Sequence, residues 1–517
     1  MRGAPGRSAG DSGGRSEGPP SARGTLRSSL PSEARGVSDV PPDSPAERTG
    51  DPVAAPHRAS RHNLRNSGGA SAYSPPMLPE SDAFPGGTAA LDEPQPAPRA
   101  ESAPMAPVAA RERIAEIDVV RGFALLGILL MNIEFFTRPI AGMFFGLDAS
   151  LTGIDRAAGW FVMTFVQGKF YTLFSMLFGM GFAIQYERAQ ARGARFGVLF
   201  FRRLLGLAAI GAVHGYLIWS GDILLVYAIL GAALLLFFRK TPARRLWKWA
   251  IGFVLVVAVA QMGMVAALSG GPEGAVRTAR MVSRMSEEYA RGHELYSTAG
   301  WFDLFPQRLV EMGQQLGFLP FFGWSVLGMF LLGAWLVRSG MMAQPSAHLP
   351  LFRRFFRYGV GLGAPLAVVA MALGAGAGME GMSLGTGAAA VLMYFASFVL
   401  CFGYLGGFVL LAQPPAWRRR LAPVAAAGRM ALTNYLLHSI VATTIFYAYG
   451  LGLFGAVPRA AQLALAVLIW IGNLAFSSWW LRHFRFGPAE WLWRSITYGR
   501  RQPMRRTELA PLAATAA

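Results

Sequence analysis

A histidine and an aspartate lie at the adjoining ends of two apolar runs near the middle of the chain. His214 stands in the last part of the run near residues 204–219. Asp222 opens the next run, near residues 223–238, at the end of a Ser-Gly-Asp turn. A carboxylate that meets an imidazole fixes its tautomer and raises its basicity, so the pair suits general-base catalysis. Two structural interpretations stay open: the histidine bonds a neighbouring helix, and the aspartate caps the second helix.

The first apolar run carries three polar residues on one helical face. Asp118 and Arg121 are three positions apart, which places an acid and a base side by side on a helix. Asn132 follows eleven positions after Arg121, about 16 Å further along the same stripe. We predict a substrate-binding face, and the alternative is an ion pair that only anchors the end of the helix.

Three further polar side chains interrupt apolar runs. Lys169 is a lone cation in the second run, where it needs a partner, a cavity or a route to the membrane surface. Asn434 and His438 lie four positions apart, on one face of a later helix. Ionisable and polar groups are costly in a bilayer, so all three are candidate substrate-binding residues.

The composition explains where these residues must sit. Of 517 residues, 53% are hydrophobic and only 15% are charged, with a net charge of +19. That balance excludes an ordinary soluble enzyme. The arginines lie at the ends of apolar runs rather than on one soluble face, which argues against nucleic-acid binding. The single cysteine, Cys401, excludes an intramolecular disulfide and a cysteine metal site, and we expect no bound metal.

Ten apolar runs approach the length of a membrane-spanning helix. They predict an all-α, polytopic transmembrane helical bundle within residues 113–506. The runs lie near residues 117–136, 159–185, 204–219, 223–238, 249–268, 318–337, 358–377, 386–411, 431–453 and 461–481. Residues 482–506, which include Trp491, Trp493 and Tyr498, predict an interfacial C-terminal segment.

Basic residues alternate along the chain with the predicted spans. Arginine and lysine clusters follow every even-numbered run, at residues 188–203, 239–248, 353–357, 418–420 and 482–506. The short exits of the odd-numbered runs are nearly free of them. Under the positive-inside rule, both termini are cytoplasmic and the connection at residues 269–315 faces outward.

The two ends of the chain have a different composition. Residues 1–112 are rich in Gly, Pro, Ser and Arg and show no apolar periodicity, which predicts a disordered tail. Residues 507–517 form a second, short tail. Met105 precedes a sequence typical of a membrane protein's start, so a genuine tail and a start at Met105 both stay open.

Five ordered segments resemble the YeiB-like family of bacterial inner-membrane proteins, which is defined by the domain of unknown function 418. They are IDVVRGFALLGILLMNI, GKFYTLFSMLFGMGF, the run from Arg202 to Gly231, GRMALTNYLLHSI and FGPAEWLWRS. The DxxRG segment at Asp118 is similar, more distantly, to membrane acyltransferases of the heparan-glucosaminide acetyltransferase type. That resemblance implies a bundle around a cavity that acyl-CoA enters from the cytoplasm.

The resemblance implies transfer of an acyl group from acyl-CoA, for example acetyl-CoA, to a small or lipid-linked acceptor. In those acetyltransferases a catalytic histidine lies between the first two spans, but here that loop contains none. We therefore assign the base to His214, oriented by Asp222. Asn132 and Asn434 would bond the acyl carbonyl, and Arg121 a phosphate of coenzyme A.

Two other classes of function stay open. One is a secondary transporter of a small solute, which the intramembrane charges favour. The other is a scaffold or sensor without turnover. In each case the lipid bilayer is a partner, no covalently bound cofactor is expected, and homo-oligomerisation remains open.

Overall fold

The computed structural model describes residues 113–506. The predicted tails at 1–112 and 507–517 lie outside the described residues. Sixteen α-helices follow one another in this part of the chain. They are α1 (Ala115–Thr137), α2 (Gly153–Phe161), α3 (Phe170–Ala191), α4 (Phe196–Val213), α5 (Leu224–Ala233), α6 (Ala243–Ser269), α7 (Gly271–Thr298), α8 (Phe305–Gly317), α9 (Leu319–Arg338), α10 (Leu349–Ala372), α11 (Leu384–Leu411), α12 (Pro415–Arg420), α13 (Ala422–Arg429), α14 (Ala431–Phe446), α15 (Arg459–His483) and α16 (Pro488–Tyr498).

The all-α fold class is confirmed. Eight helical segments are long and apolar enough to cross a membrane, and two shorter apolar ones, Leu224–Phe238 and Ala431–Phe446, complete a set of ten that coincides with the ten predicted runs. Within residues 113–506 the extended pairing is limited to an isolated bridge between Phe484 and Arg505. The backbone N–H and C=O groups of a helix bond to each other within the helix. Helices are therefore stable in an apolar environment such as a bilayer.

Glycines let the central helices approach each other closely. A Cβ on Gly179 of α3 would lie 1.9 Å from the carbonyl oxygen of Phe330 on α9, and one on Gly333 would lie 1.9 Å from that of Met176. Gly179 and Gly333 therefore mark a close contact between α3 and α9. Small residues promote such contacts where no water drives helices together.

Two of the spans are interrupted at functional candidates. The second span consists of α2, a π-helical turn at Val162–Val166, a break at Gly168 (φ 84°), and α3. Helix α4 ends in a π-helical turn at His214–Ile218. Such turns are rare and cluster at functional sites, because they shift the side chains that follow them out of register.

The long polar connection after the fifth span folds into α7 and α8. Helix α8 closes over the end of α4: Met312 lies against Gly215, and Arg308 donates a hydrogen bond of 3.1 Å to the carbonyl of Leu217. Glu311 accepts from Tyr296 at 2.7 Å and from Ser220. Burial raises the pKa of Glu311 above its ordinary value. The connection is thus a cap over the His214 turn.

Candidate functional site

The centre of the site is the contact between His214 and Asp222. The Nδ1 atom of His214 lies 2.7 Å from Oδ2 of Asp222, and both side chains are fully buried. The other carboxylate oxygen, Oδ1, accepts a hydrogen bond of 2.8 Å from the backbone amide of Leu225. The aspartate therefore caps α5 and orients the histidine at once, so the two interpretations of this residue are compatible.

Ser439 is a third member of this group, and the sequence analysis did not find it. Its Oγ lies 2.8 Å from Nε2 of His214, and the two residues are 225 positions apart in the chain. Ser439 lies on α14, one helical turn after Tyr435, whose ring centroid is 5.1 Å from that of His214. A serine inside an apolar run carries no spacing signal that could link it to a distant histidine.

A cavity of about 260 Å³ runs through the half of the bundle that holds the N-terminal end of α1. Its lining on α1 extends from Ile117 to Ile128, which is about 16 Å at 1.5 Å per residue. At its deep end lie Ile223, Leu224 and Tyr435. Tyr435 is 3% exposed, whereas the side chain of Arg121 nearer the other end is 28% exposed. The cavity therefore opens at its basic end.

Arginines dominate the open end of this cavity. Six of them and two acids, Asp118 and Glu490, line it; the arginines are Arg113, Arg121, Arg188, Arg203, Arg429 and Arg494. Arg121 pairs with Asp118 at 3.1 Å, as predicted from their spacing. Burial, and then repulsion from Arg113, lower the pKa of Arg429, and burial is the largest cause that lowers the pKa of Arg494. Such a cluster attracts an anion that carries several charges.

The deep end of the cavity is separated from His214, Asp222 and Ser439 by the thickness of one side chain. Tyr435 separates them: its ring contacts the imidazole, and its hydroxyl accepts a hydrogen bond of 3.4 Å from the amide of Ile223, next to Asp222. The cavity, whose open end is lined by arginines, thus ends at Tyr435, and the cluster of His214, Asp222 and Ser439 lies directly behind this ring.

Helix α16 forms part of this cavity rather than lying only at an interface. Trp493 donates a hydrogen bond of 2.7 Å to the carbonyl of Arg203 on α4, and the guanidinium of Arg203 lies 3.6 Å from the Trp493 ring centre. Glu490 accepts bonds from the amides of Leu432 and Thr433, at 2.7 and 3.1 Å, and from the Thr433 hydroxyl at 2.6 Å. The carboxylate therefore caps α14, the helix of Ser439.

The other predicted residues lie away from this cavity. Asn434 donates to Ser477 and to the carbonyl of Ala427, at 2.9 and 3.1 Å, and so joins α14 to α15 and α13. His438 is buried, and neither ring nitrogen has a hydrogen-bond partner within the described part of the chain. Asn132 is buried on α1 beyond the deep end of the cavity. The structure therefore brings neither Asn132 nor Asn434 to His214.

Lys169 adjoins a second cavity. This cavity, of about 340 Å³, lies at the opposite end of α3 and is lined by Met163, Met264, Met371, Met382 and Met393, among others. The Nζ atom of Lys169 contacts the carbonyl of Met163 at 3.2 Å and the sulfur of Met393 at 3.3 Å. The side chain is fully buried. A buried cation held by a carbonyl and a thioether is a costly feature.

Replacing Lys169 by methionine is expected to stabilise the protein. Methionine has a similar length and no charge, and replacing buried ionic groups by packed apolar ones gains about 1–4 kcal/mol. The melting temperature in detergent should rise, whereas the exposed Lys248→Met, as a control, should leave it unchanged. A lower melting temperature for Lys169→Met would show that the two contacts outweigh the cost of burial.

Known relatives match most of the chain. The uncharacterised protein YxaH of Bacillus subtilis (strain 168) is 36% identical over 414 residues, covering 77% of this chain and 97% of the relative. YeiB of Escherichia coli (strain K12), also uncharacterised, is 32% identical over 401 residues, covering 75% and 96%. A family model described as a protein of unknown function, DUF418, matches residues 336–500. The chain belongs to this family. The matched segment contains Ser439 and Glu490, while His214 and Asp222 precede it.

Within residues 113–506, no three histidine, cysteine, aspartate or glutamate side chains meet as metal ligands would. The site itself offers an oriented imidazole, a hydroxyl and a basic cavity. An imidazole with a carboxylate behind it removes a proton from a hydroxyl or amine.

Proposed function

We propose that this protein is a membrane acyltransferase that takes an acyl group from a coenzyme A thioester. The observation that carries the proposal is the cavity, which has arginines at its mouth and ends against the wall of the His214 cluster. The phosphates of coenzyme A would bind the arginines, which are well suited to phosphate recognition. The pantetheine arm would follow the apolar walls inward and bring the thioester to Tyr435.

His214 is the base in this scheme. Asp222 holds the proton on Nδ1, so that the lone pair of Nε2 can accept one. The amide of Ile223 and the hydroxyl of Tyr435, at the end of the cavity, are donors for the acyl carbonyl as it becomes an oxyanion. The acceptor is a small or lipid-linked hydroxyl or amine. Asn132 and Asn434, which do not line the cavity, take no part in this scheme.

The proposal places the chain in a bacterial inner membrane with both termini in the cytoplasm. The arginine mouth then faces the compartment that contains coenzyme A, and α7 and α8 face outward. The basic clusters at the ends of the even-numbered spans support this orientation.

Labelling of single cysteines tests this orientation. The only native cysteine, Cys401, is buried, so Cys401→Ala provides a silent background. In that background, Ser286→Cys on α7 and Ala416→Cys on α12 are both exposed. An impermeant maleimide added to intact spheroplasts should label residue 286 and should label residue 416 only after lysis. The reverse pattern would contradict the proposed orientation.

Binding and turnover of acetyl-CoA test the function. Purified protein in nanodiscs should bind acetyl-CoA and release free thiol when an acceptor is present. Arg494→Glu, at the cavity mouth, should weaken acetyl-CoA binding at least about tenfold. The change replaces attraction between the arginine and a coenzyme A phosphate by repulsion, which costs about 1.4 kcal/mol or more. Arg482→Glu, exposed at the end of α15, is the matched control and should bind normally. Equal affinity of both variants would remove the arginine mouth from the proposal.

A transporter is the second candidate, and one observation favours it. The two cavities lie at opposite ends of α3, and the span is broken at Gly168, beside Lys169. Broken helices at the membrane midplane are typical of secondary transporters. Solute uptake into proteoliposomes without thiol release from acetyl-CoA would favour transport.

A further inference from the structure

We propose that Ser439 is the nucleophile of the acyl transfer and carries the acyl group as an ester between two half-reactions. The inference deepens the proposed function and depends on it. Its geometric basis is the unbroken order of Ser439, His214 and Asp222, with contacts of 2.8 and 2.7 Å.

The order of the contacts assigns each proton. Asp222 accepts from Nδ1 of His214, and its other oxygen is already held by the amide of Leu225. The imidazole is therefore the tautomer whose Nε2 is a lone-pair acceptor. The Oγ atom of Ser439 lies 2.8 Å from Nε2, so the serine hydroxyl donates its hydrogen bond to the histidine. A hydroxyl whose proton is held by an oriented imidazole is an activated nucleophile.

The place of Ser439 excludes direct action of His214 on an acceptor in this arrangement. Both ring nitrogens are engaged, and the three side chains are almost entirely buried. An acceptor hydroxyl could reach Nε2 only by displacing Ser439. The first proton that His214 can take is therefore the proton of Ser439.

Other buried hydroxyls have different partners, which sets Ser439 apart. Ser175 meets the Tyr227 hydroxyl, Ser477 meets the amide of Asn434, and Thr433 donates to Glu490. These contacts join helices without a base of suitable strength. Among the serines and threonines whose contacts the structure describes, Ser439 is the one that meets an imidazole.

Tyr435 controls the path from the cavity to Ser439. It lies one helical turn before Ser439 on the same face of α14, at the deep end of the cavity. Within residues 113–506, the hydrogen bond that holds its hydroxyl is a long contact of 3.4 Å with the amide of Ile223. Rotation of this ring would extend the cavity by one turn, about 5.4 Å, to the serine.

The chemistry balances without any further reactant. In the first half-reaction, Ser439 Oγ bonds the acyl carbon, the carbon–sulfur bond breaks, and His214 passes the serine proton to the departing thiolate of coenzyme A. In the second half-reaction, an acceptor hydroxyl attacks the ester and gives its proton to His214. The proton returns to Ser439 as the serine–acyl bond breaks, which restores the starting state.

Trapping the ester tests the proposal. Wild-type protein in nanodiscs, incubated with [¹⁴C]acetyl-CoA and no acceptor, should release one thiol per protein and retain one labelled acetyl group. Digestion should place the label on the peptide that contains Ser439. Hydroxylamine should remove it. Ser439→Ala should retain no label and should lose at least about 10³-fold in turnover, since it lacks the nucleophile.

Two variants separate chemistry from folding. Ser439→Cys should retain the label as a thioester, and Ser478→Ala, a half-buried serine of α15, should behave as wild type. Melting temperatures of all variants provide the check on folding. Turnover without a trapped ester, together with an active Ser439→Ala, would overturn the nucleophile while acyl transfer stands. Absence of both acetyl-CoA binding and thiol release would overturn the acyl-transfer function, and the nucleophile with it.

Discussion

Replacing His214 by alanine is expected to reduce acyl transfer by about 10²–10⁴-fold, the usual contribution of a general base. The change removes the acceptor of the Ser439 proton and the partner of Asp222 at the same time. The buried carboxylate of Asp222 then loses its hydrogen bond from the imidazole, so the variant should also melt at a lower temperature. Acetyl-CoA binding should persist, because His214 does not line the cavity.

Two comparisons make this prediction specific. His214→Gln retains a hydrogen-bonding side chain toward Asp222 without a base, so it should lose activity while regaining much of the stability. His483→Ala, an exposed histidine at the end of α15, should leave activity and melting unchanged. Thiol release and fluorescence-detected melting on the same nanodisc samples provide both readouts. Full activity of His214→Gln would show that the histidine is only a bond between helices.

Among the variants proposed for this protein, Glu490→Ala is expected to lose the most stability. The carboxylate accepts three hydrogen bonds, from the amides of Leu432 and Thr433 and from the Thr433 hydroxyl. Its loss leaves three buried donors without a partner, each costing about 1–3 kcal/mol, so the free energy of unfolding should fall by about 3 kcal/mol or more. A negative group at the start of α14 also favours the helix dipole.

The consequence should extend to the catalytic cluster, because α14 carries Tyr435 and Ser439. Glu490→Gln retains an amide oxygen as acceptor and should lose less stability than Glu490→Ala. Glu380→Ala removes an exposed glutamate and is the control. Thermal melting in nanodiscs measures the effect. A melting temperature for Glu490→Ala equal to that of the Glu380 control would show that α16 only lies at the interface and does not stabilise α14.

The helices and two contacts of the site could be predicted from interactions between residues that are near each other in the sequence. Apolar runs near the thickness of a bilayer predict helices without knowledge of their neighbours, and the ten predicted runs coincide with apolar helices. His214 and Asp222 are eight positions apart across one turn, so their meeting depends only on how α4 ends and α5 begins. The same is true of Asp118 and Arg121, whose pairing follows from helical spacing.

Only the tertiary structure decided what these residues face. Ser439 reaches His214 across 225 positions, and that contact depends on how α14 packs beside α4, which no spacing encodes. Close packing through glycines such as Gly179, where α3 meets α9, lets neighbouring helices approach each other closely. The cavity is a space between α1, α3, α4, α5, α13, α14 and α16, so it exists only once these helices have assembled. Apolar patterns determine which segments become helices, whereas the shapes of side chains at the contacts determine which polar groups meet.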